Sequence, residues 1–136
     1  MKKTIIVLLL AALAACDTTV KKEEMAAVDY GPKPARWRDE IRSYLDLRLA
    51  SPKDAAVEYR SEPKQLYQRD TVLRERQYGW ATCVWVNEKT DGKFAGPYPM
   101  TFFFRDEKIV AVNGGPDEGG MVASRYAREQ CAQLAG

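Results

Sequence analysis

Histidine is absent from this 136-residue chain, and cysteine is scarce at three residues. Without imidazole there is no Ser-His-Asp or Cys-His catalytic pair and no histidine-ligated zinc. Charge of one sign is also lacking: 21 basic residues face 19 acidic ones, a net +2. A basic surface for nucleic acid is therefore not available. The apolar run Ile5 to Ala12, even with Leu13-Ala14-Ala15-Cys16 added, is short of the roughly 18–20 residues that cross a bilayer as a helix. There is no C-x-x-C, no G-x-x-x-x-G-K-[ST], no strand-to-helix G-x-G-x-x-G and no EF-hand spacing, which leaves redox work without its usual motif and removes the common phosphate loops and a calcium loop. No metal and no cofactor is expected. What is present is a globular composition, 46% hydrophobic and 29% charged, in a chain long enough for one domain and too short for two.

The first sixteen residues carry an address. Lys2 and Lys3 form a basic head, the apolar run follows, and Leu13-Ala14-Ala15-Cys16 closes it, the order of a secretory signal peptide. Leu-Ala-Ala-Cys resembles the lipobox of bacterial lipoproteins. The resemblance implies cleavage after Ala15, a diacylglyceryl thioether on Cys16 and acylation of the new amino terminus, which make the membrane a partner. An ordinary signal peptide with a chance cysteine is the alternative. Two or three acyl chains anchor stably where one does not. Residues 1–15 hold two lysines and no acid, so a chain starting at Cys16 has nineteen charges of each sign. The slight basicity belongs to the leader. Asp17 resembles the inner-membrane retention signal of enteric lipoproteins, which favours the periplasmic face of that membrane and leaves the outer membrane open.

Residues 16–34 read as the lipidated cysteine and a flexible tether, polar and ending in Gly31-Pro32-Lys33-Pro34. Residues 35–136 read as one α+β domain. Trp37, Ile41, Tyr44, Leu45 and Leu49 recur at helical spacing over Ala35 to Ala50, and Ser51-Pro52 ends that helix. The period then falls to two. Strands are expected at Ala56 to Arg60, Gln65 to Arg69, Gln77 to Asn87, Met100 to Phe104 and Ile109 to Val112, with turns at Thr90-Asp91-Gly92 and Arg105 to Lys108. Met121 to Leu134 closes the chain as a second helix. A helix, four to five antiparallel strands and a helix make an α+β architecture.

With Cys16 lipidated, Cys83 and Cys131 remain as a pair in an oxidising compartment. A structural disulfide tying the closing helix to the central strand is expected; two free thiols or a redox pair are the alternatives. Such a bridge places Gly79 and Ala81 under the closing helix, since they share the Cys83 side of the strand. Tyr78, Trp80 and Val84 then face the other way, either covered by the first helix or left as an open aromatic face.

A second resemblance runs from Leu49 to Val110. It is carried by Leu49-x-Ser51-Pro52-x-Asp54-Ala55, Tyr78-Gly79-Trp80, Cys83, Val86-Asn87, Gly92-x-Phe94-x-Gly96, the aromatics Phe102 and Phe103, and Arg105-Asp106-Glu107-Lys108-Ile109. This order resembles small, mostly uncharacterised bacterial envelope lipoproteins. Relatives usually have serine or threonine where Asp54 stands and glycine where Glu107 stands. The resemblance implies a fold and no activity.

No catalytic residue is assigned. Asp117-Glu118 lies between glycine pairs and reads as solvated charge; Ser43, Ser51, Ser61 and Ser124 lack a general base. Most aromatics are expected in the core. Trp85, Phe94 and Tyr98 are candidates for a recognition patch, Tyr98 because Pro97 and Pro99 flank it and proline disfavours a central strand. The expected function is a lipid-anchored, non-catalytic binding or assembly module facing the periplasm, its partner an envelope protein or other envelope component. A carboxylate-dependent hydrolase acting on an envelope polymer and a passive structural protein are the rivals.

Overall fold

A computed structural model describes residues 20–70, 72–73, 75–115 and 121–135, with the side chains of 121–124 excluded. Its axis is β3 (Gln77–Asn87), eleven residues that alternate as the sequence suggests. Thr82, Val84 and Val86 are buried on one face, Ala81 and Cys83 on the other. On one edge β3 pairs antiparallel with β6 (Tyr98–Arg105), which pairs in turn with β7 (Lys108–Asn113). On the other edge β1 (Ala56–Tyr59) covers the C-terminal half and β2 (Lys64–Gln68) the N-terminal half. Between β1 and β2 the chain inserts two residues more than β3 has opposite them. The insertion carries its own hydrogen bonds: Arg60 N–H donates to the Cys83 carbonyl at 2.9 Å, Cys83 N–H to Ser61 Oγ at 3.0 Å, and the Thr82 hydroxyl to the Ser61 carbonyl. A small hairpin, β4 (Lys89–Thr90) and β5 (Lys93–Phe94), turns through Asp91 and Gly92, both at positive φ.

A helix lies on each face, so the sheet has no open aromatic side. Helix α2 (Trp37–Arg48) sets Trp37, Ile41 and Leu45 against Val84, Val86, Met100, Phe102 and Phe104. Tyr44 meets Phe102 edge-on at 5.4 Å. On the far face α3 (Met121–Ala135) adds Cys131 and Leu134 to Leu66, Ala81, Cys83 and Phe103. Cys83 and Cys131 are joined by a disulfide with Cα atoms 5.1 Å apart. Gln130 is a second tie, its buried side-chain carbonyl accepting from the Thr101 hydroxyl and from Asn113 Nδ2 at 2.9 Å.

Two expectations differ from the structure. The first is the flexible tether: residues 16–19 lie outside the described part, and from Val20 the segment touches the rest of the fold at a few points, although α1 itself buries no residue. Lys22–Ala27 forms α1, and Val20, Tyr30 and Pro34 are buried. Trp80 Nε1 donates to the Gly31 carbonyl at 3.0 Å, Arg105 to the Asp29 carbonyl at 2.6 Å, and Tyr30 stands edge-on to Tyr78 at 5.9 Å. The cover over Tyr78 and Trp80 is therefore this arm, not α2 alone. Second, Tyr98 and Pro99 do lie in a central strand. Pro99 sits beyond Thr101, the first β6 residue that β7 pairs with, so its missing N–H costs no ladder bond on that edge. The turn expected at Arg105 to Lys108 has a glycine-like backbone although it holds no glycine: Asp106 and Glu107 both take positive φ, 50° and 67°. Glu107 is held there because both its carboxylate oxygens accept from Ala35 N–H at 3.2 Å.

Two substitutions separate packing from backbone conformation. A Cβ at Gly79 would lie 2.3 Å from the Phe104 carbonyl oxygen and 3.0 Å from the Phe103 ring; Gly79→Ala is expected to cost about 3 kcal/mol or more, at the upper end of overpacking. Gly92, at φ +75° in open space, should lose only about 1 kcal/mol as alanine. Denaturant midpoints measure both, and equal losses would contradict the packing argument. Replacing Cys83 and Cys131 together with alanine should cost up to about 4 kcal/mol for a 48-residue separation, read by the same titration without reductant.

Candidate functional site

The three residues expected to form a recognition patch are not brought together. Trp85 sits on the α3 face of β3, half-buried against the disulfide cluster, with the guanidinium groups of Arg60 and Arg128 5.2 and 5.5 Å from its ring centroid. Tyr98 pairs with Val86 and faces α2, its hydroxyl donating to Glu88 at 2.8 Å. Phe94 projects from β5, about half-exposed, with the Lys89 ammonium over its ring at 5.0 Å. Trp85 is opposite Pro99 and Val86 opposite Tyr98, so the pleat directs Trp85 and Tyr98 to opposite faces of the sheet.

The most developed concavity lies instead where the N-terminal arm crosses the start of β3. An open cleft of about 640 Å³ is lined by Glu24 of α1, Asp70, Val72, Leu73, Glu75, Arg76 and Tyr78. A second hollow of about 300 Å³ lies against Asp29, Gln77, Tyr78, Arg105 and Val110. Tyr78 is the wall they share. Its hydroxyl donates to Glu24 Oε1 at 2.6 Å, and Arg76 donates to the same oxygen at 3.2 Å and to Asp70 at 3.2 Å. The Arg76 guanidinium also lies 5.5 Å from the centroid of Tyr67. One cation thus stands between two carboxylates over a tyrosine floor, with Glu75 exposed at the rim.

The Tyr78 hydroxyl titrates above its ordinary value first because it donates to Glu24, whose charge a tyrosinate would face, and next because of burial; Arg76 opposes both. Burial leads the upward shift of Tyr30, and Tyr78 adds to it. At neutral pH both tyrosines are hydrogen-bond donors. Among the described residues the cleft lining has three carboxylates and one guanidinium, which suits a ligand presenting a cationic or hydrogen-bonding group beside apolar surface. Among the described residues no group of three Cys, Asp or Glu side chains could hold a metal ion.

This site has no signal in the local sequence. Alternation on β3 leaves Tyr78 and Trp80 needing cover, but Glu24 lies 54 residues from Tyr78 in a segment whose polarity reads as linker. Nothing local to either residue signals the pairing. Ala15, Cys16, Asp17 and the Asp117-Glu118 loop lie outside the described residues.

Tyr78→Phe and Glu24→Gln should each loosen the arm. With Glu24 about half-exposed, each is expected to cost about 1 kcal/mol or less, raising amide exchange over α1 up to about fivefold; exchange unchanged in both variants would show that the arm is held without them. The tyrosines also set a pH window. Because their pKa values are raised in the folded protein, their contribution is complete below the unfolded value of 10.0 and is lost as pH rises through the folded values. Arm release should follow tyrosinate absorbance above pH 10, and Tyr78→Phe should weaken that dependence.

No family model matches the chain, and no curated protein and no solved structure does so.

Proposed function

We propose that this chain is a lipid-anchored bacterial envelope lipoprotein whose domain binds a protein or other envelope component at the periplasmic side of a membrane, without catalysing a reaction. The observation that carries the reading is Leu13-Ala14-Ala15-Cys16 behind a basic head and a short apolar run. It belongs to the order of features that export and acylation require. Packing of the chain from Val20 onward supports it by giving the anchor a mechanical meaning. Four residue steps lead from Cys16 to Val20, a covalent reach of at most about 14 Å, so an acylated Cys16 holds the domain close to its membrane rather than on a long leash. Among the described residues no helix is long and apolar enough to cross a membrane, which is consistent with attachment through lipid. The Tyr78 cleft is the favoured binding site, because it lies on the arm that leads to the anchor and presents fixed donors, carboxylates and apolar surface together.

Intact mass of the membrane-extracted protein tests the anchor. Cleavage after Ala15 with added diacylglycerol and acyl mass is expected, and Cys16→Ser should carry no lipid mass; an unmodified Cys16 in the wild type rejects the reading. Photo-crosslinking in living cells tests the module. A probe at Glu75 should give one discrete adduct that Arg76→Ala diminishes several-fold and that a probe at Ser43, on the exposed side of α2, does not give. Equal diffuse labelling from both positions would remove the cleft as a binding site and leave the passive structural reading.

A further inference from the structure

Val72 and Leu73 are adjacent in a turn between β2 and β3, and both side chains are fully open to solvent, at 102% and 95% exposure. They are the two most exposed large hydrophobic residues described; the next, Leu47 at 84%, stands alone on α2. A neighbouring apolar pair at the tip of a turn is an unfavourable surface for water and a suitable one for the interfacial layer of a bilayer.

We propose that Val72 and Leu73 are a second membrane contact, inserting into the headgroup region of the bilayer that holds the acyl chains of Cys16. The inference rests on the lipoprotein reading. The tip lines the same cleft as Glu24 of α1, and Glu24 is tied to Arg76, three residues beyond Leu73 in the chain. Helix α1 begins two residues after Val20, and from Val20 to Cys16 the chain reaches at most about 14 Å. The chain leading to the anchor therefore runs directly into the helix that lines the tip's cleft, and the bonds of Trp80 to Gly31 and of Arg105 to Asp29 fix the arm to the sheet. Acylation then makes contact of the tip with lipid an intramolecular event. A weak interfacial affinity suffices when the effective concentration is that high.

The charges around the tip agree with a lipid surface that includes anionic headgroups. Lys21 and Lys22 offset Glu23 and Glu24, while Arg69, Arg74 and Arg76 exceed Asp70 and Glu75 by one. This slight positive excess does not oppose anionic lipid, so apolar insertion sets the contact. The consequence is orientation: the Tyr78 cleft opens beside the bilayer, and a component bound there is met at the membrane surface.

The test uses the full lipidated protein in vesicles of phosphatidylethanolamine with a minority of phosphatidylglycerol. Leu73→Cys, labelled with nitrobenzoxadiazole without reductant so that the Cys83–Cys131 bond stays closed, is compared with Leu47→Cys labelled alike. Blue-shifted emission at position 73, quenched several-fold more strongly than at 47 by lipids with a nitroxide near the headgroup, is the expected result. Water-like emission at 73, or equal quenching at both positions, overturns the inference. A blue shift in native membranes that is lost in pure lipid would mean that a protein covers the tip, and overturns it too. A label-free arm guards against insertion driven by the dye: vesicles should slow amide exchange at Val72 and Leu73 several-fold in wild type and not in the Val72→Ser, Leu73→Ser double variant. Intact mass of the same sample separates the two failures. Lipid present on Cys16 with an unquenched tip defeats only the insertion; lipid absent defeats the anchoring reading, and the inference with it.

Discussion

A strand buried on both faces needs two covers, and the length of β3 decides what those covers are. Eleven extended residues span about 36 Å, whereas the twelve residues of α2 span about 18 Å. One helix cannot roof the strand. Helix α2 takes the C-terminal half, over Val84 and Val86, reaches Trp80 at its border, and leaves Tyr78 beyond it. On the opposite face the N-terminal half of the strand carries Gly79 and Ala81, where small side chains let Phe103 and the neighbouring backbone approach closely. The uncovered aromatic end is what recruits the N-terminal arm. The Tyr78 cleft exists because the strand outruns its helix.

Polar groups at the centre of the sheet are accounted for by specific partners, and this fixes how the layers sit. Where β1 gives way to β2, the ladder would leave the Cys83 amide and carbonyl unpaired; Ser61 Oγ and Arg60 N–H take them. A buried amide without a partner would cost about 1–3 kcal/mol. Gln130 does similar work for α3, reaching both β6 and β7 from a helix that the disulfide ties to β3. The exposed ion pairs, such as Arg42 with Asp46 and Arg125 with Glu129, add little by comparison.

Glu107 shows how the arm is coupled to the far end of the sheet. A left-handed backbone at a non-glycine residue costs about 1–2 kcal/mol, and here the same side chain receives the Ala35 amide at the entrance to α2. Glycine in that turn would relax the backbone and release the amide. Asp106 lies 3.2 Å from where a Cβ on Gly31 would be, so the β6–β7 turn also shapes the arm's path. The arm is thus held by the sheet and by the turn at a few points, which accounts for its fixed course despite a linker-like composition and a largely exposed surface.

Much of the fold was legible because it is periodic. Alternation placed β3 to the residue, helical spacing found α2 and α3, and the even pair of cysteines left after Cys16 pointed to the bridge that the structure contains. The site was not legible, because its parts have no local signature. Glu24 in a polar stretch and Arg76 in a charged loop acquire meaning only when the chain brings them to Tyr78. The expected patch failed for a related reason: Trp85 and Tyr98 are close in aromatic character and in strand register, but the pleat sends neighbouring rows to opposite faces, and only the pairing of β3 with β6 reveals which row each occupies. The amino-acid sequence by itself determined the order of the two main helices and the five strands of the main sheet and the two-faced central strand, since these follow from local spacing and composition. Tertiary structure decided where the arm lies, which aromatics meet and which concavity results, because those depend on the mismatch in length between strand and helix and on contacts between residues fifty positions apart.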